Sequence, residues 1–131
     1  MFSPDGRWVA YQSDESGRYE IYVRAFPGPG GQWQISTAGG IQPRWRPGGR
    51  ELYYIAPDGT LMAAPVGVNG ATIEAGRPVA LFRTRIVGVG DIGLGTNYDV
   101  SRDGRFLINT VIDDAAVSPI TILQNWTPPQ P

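Results

Sequence analysis

A short turn sequence occurs three times along the chain at similar intervals. The three copies are Ser3-Pro4-Asp5-Gly6-Arg7, Arg46-Pro47-Gly48-Gly49-Arg50 and Ser101-Arg102-Asp103-Gly104-Arg105. The first two copies are 43 residues apart and the last two are 55 residues apart, counted between their final arginines. A repeat of about 40–45 residues with four short strands is typical of a β-propeller blade. The spacing therefore predicts three consecutive blades, which are too few to close a ring.

Short runs rich in β-branched and aromatic residues lie between these turns and predict ten strands. The predicted ranges are 7–14, 19–26 and 32–37 in the first repeat, 41–45, 51–56, 60–66 and 78–82 in the second, and 98–101, 106–112 and 119–126 in the third. The run Leu52-Tyr53-Tyr54-Ile55 places apolar groups on both faces of its strand, which is expected where a sheet is covered on both sides.

We therefore expect an all-β fold with about three four-stranded antiparallel propeller blades. The blades would span residues 2–37, 39–83 and 96–126, and they form half of a six-bladed ring. Together they make a partial propeller over residues 1–126, followed by a proline-rich tail at 127–131.

The residue types that are missing restrict the chemistry. The chain has no Cys, His or Lys, and all eleven basic residues are Arg. This composition excludes a Ser-His-Asp triad, a Cys-His nucleophile, the usual zinc ligand sets and a lysine Schiff base. The sequence therefore predicts a protein that is not an enzyme and that has no cofactor and no metal.

Charge and hydropathy exclude other partners. The net charge is −1 and the isoelectric point is about 5.3, so no basic surface for nucleic acid is expected. No run of 18 apolar residues is present, so no membrane span is expected. The first residues also lack the basic start and apolar core of a signal peptide.

Carboxylates occur in two settings. Each copy of the turn offers one carboxylate at most, so its Asp is expected to cap the turn rather than to bind calcium. The acidic groups Asp14–Glu15 with Glu20, and Asp113–Asp114, fall at predicted loop positions and are interpreted as solvated loop charges. General acid–base catalysis is the alternative for them.

One face of the predicted ring gathers the candidate binding residues. In a blade, the connection into the innermost strand and the turn between the second and third strands lie on the same face. Gln42 and Arg44 alternate with apolar residues on an innermost strand and are predicted to line the central channel. The candidate ligand-binding residues are Gln42, Arg44, Arg85, Asp91 and Asn97. Trp45 is predicted to be core, whereas Arg44 either binds a ligand or pairs with a neighbouring carboxylate.

The repeat resembles the TolB-type propeller repeat, in which an innermost strand ends in a Trp-Ser-Pro-Asp-Gly-like turn. The matching segments are Phe2-Ser3-Pro4-Asp5-Gly6-Arg7 with Glu20-Ile21-Tyr22-Val23, then Trp45-Arg46-Pro47-Gly48-Gly49-Arg50, Val100-Ser101-Arg102-Asp103-Gly104-Arg105, and the ending at 119–126. Such blades occur at the C-terminus of bacterial receptor-like Ser/Thr kinases and in TolB-like proteins. By that pattern the first repeat has only a stub, Met1-Phe2, of its innermost strand, and the third repeat lacks its outermost strand.

The resemblance implies a bacterial interaction platform with a periplasmic or extracellular location. Three functional hypotheses follow from the sequence. The chain is a non-catalytic platform that binds a protein or peptide ligand, or a structural half-ring that is completed by a second copy as a homodimer or by missing blades. The third hypothesis is a propeller cap of a hydrolase domain absent from this chain.

Overall fold

The computed structural model describes residues 1–28, 30–84, 98–109 and 120–123. Within these ranges the chain is all-β and the strand pairs are antiparallel, as predicted. The strands are β1 Trp8–Ser13, β2 Glu20–Ala25, β3 Gln32–Gln34, β4 Ile41–Trp45, β5 Glu51–Ile55, β6 Thr60–Asn69, β7 Thr72–Ala75, β8 Val79–Arg83, β9 Tyr98–Val100, β10 Phe106–Asn109 and β11 Ile120–Leu123.

The strands form three separate sheets that follow the three sequence repeats. The first sheet has the order β1-β2-β3, and the third sheet has the order β11-β10-β9. In the middle sheet, β4, β5 and β6 follow one another, and both β7 and β8 pair with β6. Strand β7 was not predicted: β6 runs on to Asn69 and turns back at Gly70, whose φ of 64° is accessible to glycine without strain. Hydrogen bonding does not close the described strands into a ring.

The middle sheet is covered on both faces, which confirms the interpretation of its unbroken apolar run. Leu52 and Tyr54 pack against the first sheet, whereas Tyr53 and Ile55 pack in the core shared with the third sheet. All four side chains are buried. Successive residues of a strand point to opposite faces, so a strand between two layers must be apolar at every position.

The pairing across the turn differs by one residue in the third repeat. Phe2 pairs with Val9 and Trp45 pairs with Leu52, so six residues lie between the partners in each case. In the third sheet Val100 pairs with Phe106, and only five residues lie between them. Phe106 therefore takes the structural position that Leu52 has in the middle sheet.

This shorter turn changes which side chain is buried. Alignment of the three turns on their arginines would place Leu107 at the position of Leu52. The structure buries Phe106 in the core shared with the middle sheet, and it leaves Leu107 44% exposed on the opposite face. A shift of one residue moves every side chain of a strand to the other face, so the turn decides the core composition of this sheet.

Glu20 corrects one prediction of the sequence analysis, because it is not a solvated loop charge. It begins β2 and is 1% exposed. Its carboxylate accepts hydrogen bonds from Arg18 Nε at 2.8 Å, from Gly39 N at 2.9 Å and from Ser36 Oγ. Gly39 has a φ of 94°, and a Cβ there would approach Pro57 to 2.5 Å. The buried acid therefore ties β2 to the connection between the first and middle sheets.

Tyr54 gives the fold a predicted sensitivity to high pH. Burial, and then the charge on Glu20, raise the pKa of Tyr54 from 10.0 to about 12. The unfolded chain loses the phenol proton at a lower pH than the folded chain, so stability falls as pH rises from 10 to 12. We expect the urea midpoint to decrease over this range. The Tyr54→Phe variant should lose less stability over the same range, and an equal loss in both proteins would contradict the assignment to Tyr54.

Candidate functional site

A surface cavity of about 500 Å³ lies between the turns of the first two repeats. It is lined by residues from the first turn, the second turn and the far part of β6, namely Ser3, Pro4, Asp5, Trp8, Gly48, Gly49, Arg50, Pro65, Val66, Gly67 and Val68. Its volume lies within the range of about 300–1,000 Å³ that is typical of small-ligand sites. The recurring turn therefore forms two walls of a concave site.

The first wall is a hydrogen-bonded turn that carries the carboxylate of Asp5. Asp5 Oδ1 accepts hydrogen bonds from Ser3 Oγ at 2.6 Å and from Arg7 N at 3.1 Å, so Asp5 caps its own turn as predicted. The hydrogen bond from Ser3 Oγ, and then that from the backbone of Arg7, lower the pKa of the Asp5 carboxyl below its ordinary value. Asp5 is therefore ionised at neutral pH.

The second wall carries an arginine that has no carboxylate partner in the described part of the chain. Arg50 is exposed and takes part in none of the ion pairs among the described residues, which are Arg18–Glu20, Arg46–Glu51 and Arg105–Asp103. The cavity is thus lined on one side by Arg50, which forms no ion pair with the described residues, and on the other by Asp5, whose carboxylate is held in its own turn.

The remaining lining is largely apolar. Trp8 is buried, and its indole nitrogen has no acceptor among the described residues. Val66 is buried as well, whereas Val68 is exposed. An apolar surface with a few charged groups at its edge suits a ligand with an apolar body and a charged end.

Of the predicted binding residues, Gln42 lies at a bulge where the three sheets meet. It is buried and has a φ of 56°, between the register positions Ile41 and Arg44. Its N–H donates to Gln12 Oε1 at 2.8 Å, and the Tyr98 hydroxyl donates to its carbonyl oxygen at 2.7 Å. The backbone of Gln42 therefore joins the first, middle and third sheets, which explains how this left-handed conformation is held.

Arg44 lies beside this bulge and is half-buried. Its Nη1 is 3.7 Å from Met1 Sδ, and its buried Nε has no hydrogen-bond partner among the described residues. Arg44 also takes part in no ion pair of the described residues. Trp45 is buried in the core, as predicted. Gln42 and Arg44 are thus brought together, and we name this pair the inner-strand site. Arg85, Asp91 and Asn97 lie outside the described residues.

The cavity does not follow from the sequence pattern. The recurring turn indicates only a backbone feature, and the apolar run predicts that the third strand of the second repeat ends at residue 66. The cavity needs both turns side by side and a β6 that extends to Val68. The signal in the sequence is that Pro, Gly and Arg recur at the same places in the first two turns, which the stacked sheets bring close together.

Two kinds of structure are absent from the described residues. Among them, no three His, Cys, Asp or Glu side chains lie together in an arrangement that could hold a metal ion. They also include no helix with the length and apolar character needed to cross a membrane. No protein-family model matches the chain, and no curated protein matches its sequence.

Proposed function

We propose that the chain is a non-catalytic platform that binds a peptide segment of another protein in the cavity between its first two turns. The observation that carries this proposal is that one concave site of about 500 Å³ combines an apolar lining with Arg50, which takes part in no ion pair of the described residues. Arg is well suited to this role because its planar guanidinium binds a carboxylate through two parallel hydrogen bonds.

The charges on the two walls define the ligand more closely. A peptide carboxylate is attracted by Arg50 and repelled by the ionised Asp5, so the acidic group should lie on the Arg50 side. The apolar lining, which includes Trp8, Pro65 and Val66, then receives an apolar side chain next to that acid. The proposed ligand is therefore an extended peptide in which an apolar residue is adjacent to Asp, Glu or a free C-terminal carboxylate.

Replacing Arg50 with alanine tests this proposal. We expect about a tenfold loss of affinity for eight-residue peptides that carry an apolar residue next to Asp or Glu, because a charge-assisted hydrogen bond is lost. Fluorescence anisotropy with a labelled library of such peptides measures the effect. Peptides with Asn or Gln in place of the acid should bind the native chain weakly and should be insensitive to the change.

The Arg44→Ala variant is the matched control, because it removes the same charge from the inner-strand site. We expect it to leave binding unchanged. A loss of binding with Arg44→Ala but not with Arg50→Ala would move the peptide site to the inner-strand site. If no peptide of the library binds the native chain, the platform proposal is overturned.

We also propose that the three sheets are consecutive blades of a TolB-like propeller. Support comes from the shared turn and from the stacking of the sheets, in which the middle one is covered by both neighbours. A second candidate function follows from this architecture, a structural half-ring that assembles with a second copy. The exposed aromatic pair Phe2 and Phe26, whose ring centroids are 4.8 Å apart, specifically favours it.

A further inference from the structure

The outer face of the first sheet is equivalent, residue by residue, to a core face of the middle sheet. In the middle sheet, Trp45 pairs with Leu52, and Leu52 pairs with Ala64. In the first sheet, Phe2 pairs with Val9 and Val9 pairs with Arg24 in the same way. Tyr54 pairs with Met62 as Tyr11 pairs with Tyr22. In the middle sheet, this face is the one that packs against the first sheet. The six core positions Trp45, Leu52, Tyr54, Met62, Ala64 and Val66 thus correspond to Phe2, Val9, Tyr11, Tyr22, Arg24 and Phe26.

The equivalent face of the first sheet keeps the composition of an interface. Five of these six residues are apolar or aromatic and Arg24 is charged, while β3 adds the exposed Gln32 and Gln34 at the edge of the face. Phe2 is 53% exposed and Phe26 is 48% exposed, and the two rings meet edge to face. Tyr11, which is half-buried, and Tyr22, which is buried, stack further along the face with ring centroids 5.8 Å apart. Two exposed phenylalanines at one end of such a face suit a protein–protein contact.

The third sheet also has an outer face, and this face carries an exposed apolar residue. The turn of the third repeat is one residue shorter, so Leu107 takes the position that Tyr53 has in the middle sheet. Tyr53 is a core residue on the face of the middle sheet that packs against the third sheet. Leu107 is exposed on the face that points away from the middle sheet. Asp99 pairs with Leu107 and is also exposed. The two outer faces therefore carry charges of opposite sign, Arg24 on the first sheet and Asp99 on the third.

We propose that the outer face of the first sheet binds the outer face of the third sheet of a second copy of this chain. Within the chain, the first sheet stacks on the middle sheet, and the middle sheet stacks on the third. The proposed contact continues this stacking from one copy to the next. Such a contact joins two different surfaces, so two copies close into a ring if the rotation allows it and otherwise form an open filament. This inference specifies the surface for the half-ring candidate, and it does not depend on the peptide site.

Light scattering over a concentration series tests the surface. The native chain is expected to reach a mass of about twice 14.2 kDa or more. Phe26→Arg and Leu107→Arg should each raise the dissociation constant at least about tenfold, because each replaces an exposed apolar side chain of the contact with a charged group that must be desolvated. Val79→Arg is the matched control: Val79 is similarly exposed but lies on β8 of the middle sheet, and its change should leave the mass unchanged.

A mixture of Phe26→Arg and Leu107→Arg identifies the two faces. Each variant keeps one intact face, so the mixture should associate more strongly than either variant alone. If Leu107→Arg assembles like the native chain, the contact is not the proposed one, although self-assembly itself stands. A native chain that remains a monomer at every concentration overturns both this surface and the half-ring candidate, while the peptide-binding proposal is unaffected.

Discussion

Replacing Glu20 with alanine is expected to lower the free energy of unfolding by about 3 kcal/mol, a large part of the stability of a small domain. The carboxylate is buried and accepts hydrogen bonds from Arg18, Ser36 and Gly39. Without it, the Gly39 N–H and the Ser36 hydroxyl remain buried and lose this acceptor. Urea unfolding followed by tryptophan fluorescence measures the loss.

Two further variants show which part of this interaction stabilises the fold. Arg18→Ala should cost less than Glu20→Ala, because the Arg18 side chain is 60% exposed and the Glu20 carboxylate keeps its hydrogen bonds from Ser36 and Gly39. Glu20→Gln keeps an acceptor oxygen and should lose an intermediate amount, and it remains informative if the alanine variant does not fold. Equal urea midpoints for the native chain and Glu20→Gln, with Arg18→Ala strongly destabilised, would contradict the role assigned to the buried carboxylate.

The general architecture could be predicted from the sequence because its signals are local. The three turns mark the repeats, and the apolar run at Leu52–Ile55 requires cover on both faces of the middle sheet. The burial of Glu20 could not be predicted in this way. Its partners Ser36 and Gly39 lie 16 and 19 residues away in the sequence, and only the folded sheet brings them to the carboxylate.

The alternation along β4 indicates that Gln42 and Arg44 line a central channel, and this stays a prediction. The structure places both residues at the bulge of β4. The left-handed backbone of Gln42 has no signal in the sequence, because glutamine rarely adopts this conformation. The cavity depends on how two turns approach each other. This approach is set by the packing of the first sheet on the middle sheet, and not by either turn alone.

The register of the third repeat leads to the second large prediction. Phe106→Ala is expected to cost about 4 kcal/mol, because it removes a buried ring and leaves a cavity in the core. Phe106 is 1% exposed, and its ring meets those of Tyr53 and Phe82 edge to face at centroid distances of 5.0 and 5.8 Å. Urea unfolding at low protein concentration measures this change.

Leu107→Ala is the matched control from the next position of the same strand. Leu107 is partly exposed, so its change should cost less than about 1 kcal/mol. If Phe106→Ala does not fold, Phe106→Leu should still be destabilised, by about 1–2 kcal/mol. The opposite order, with Leu107→Ala more harmful than the changes at Phe106, would mean that the third turn has six residues between its paired positions, as in the first two repeats. In that case Leu107 would face the middle sheet, and the third sheet would lose the exposed apolar face that the proposed contact between copies requires.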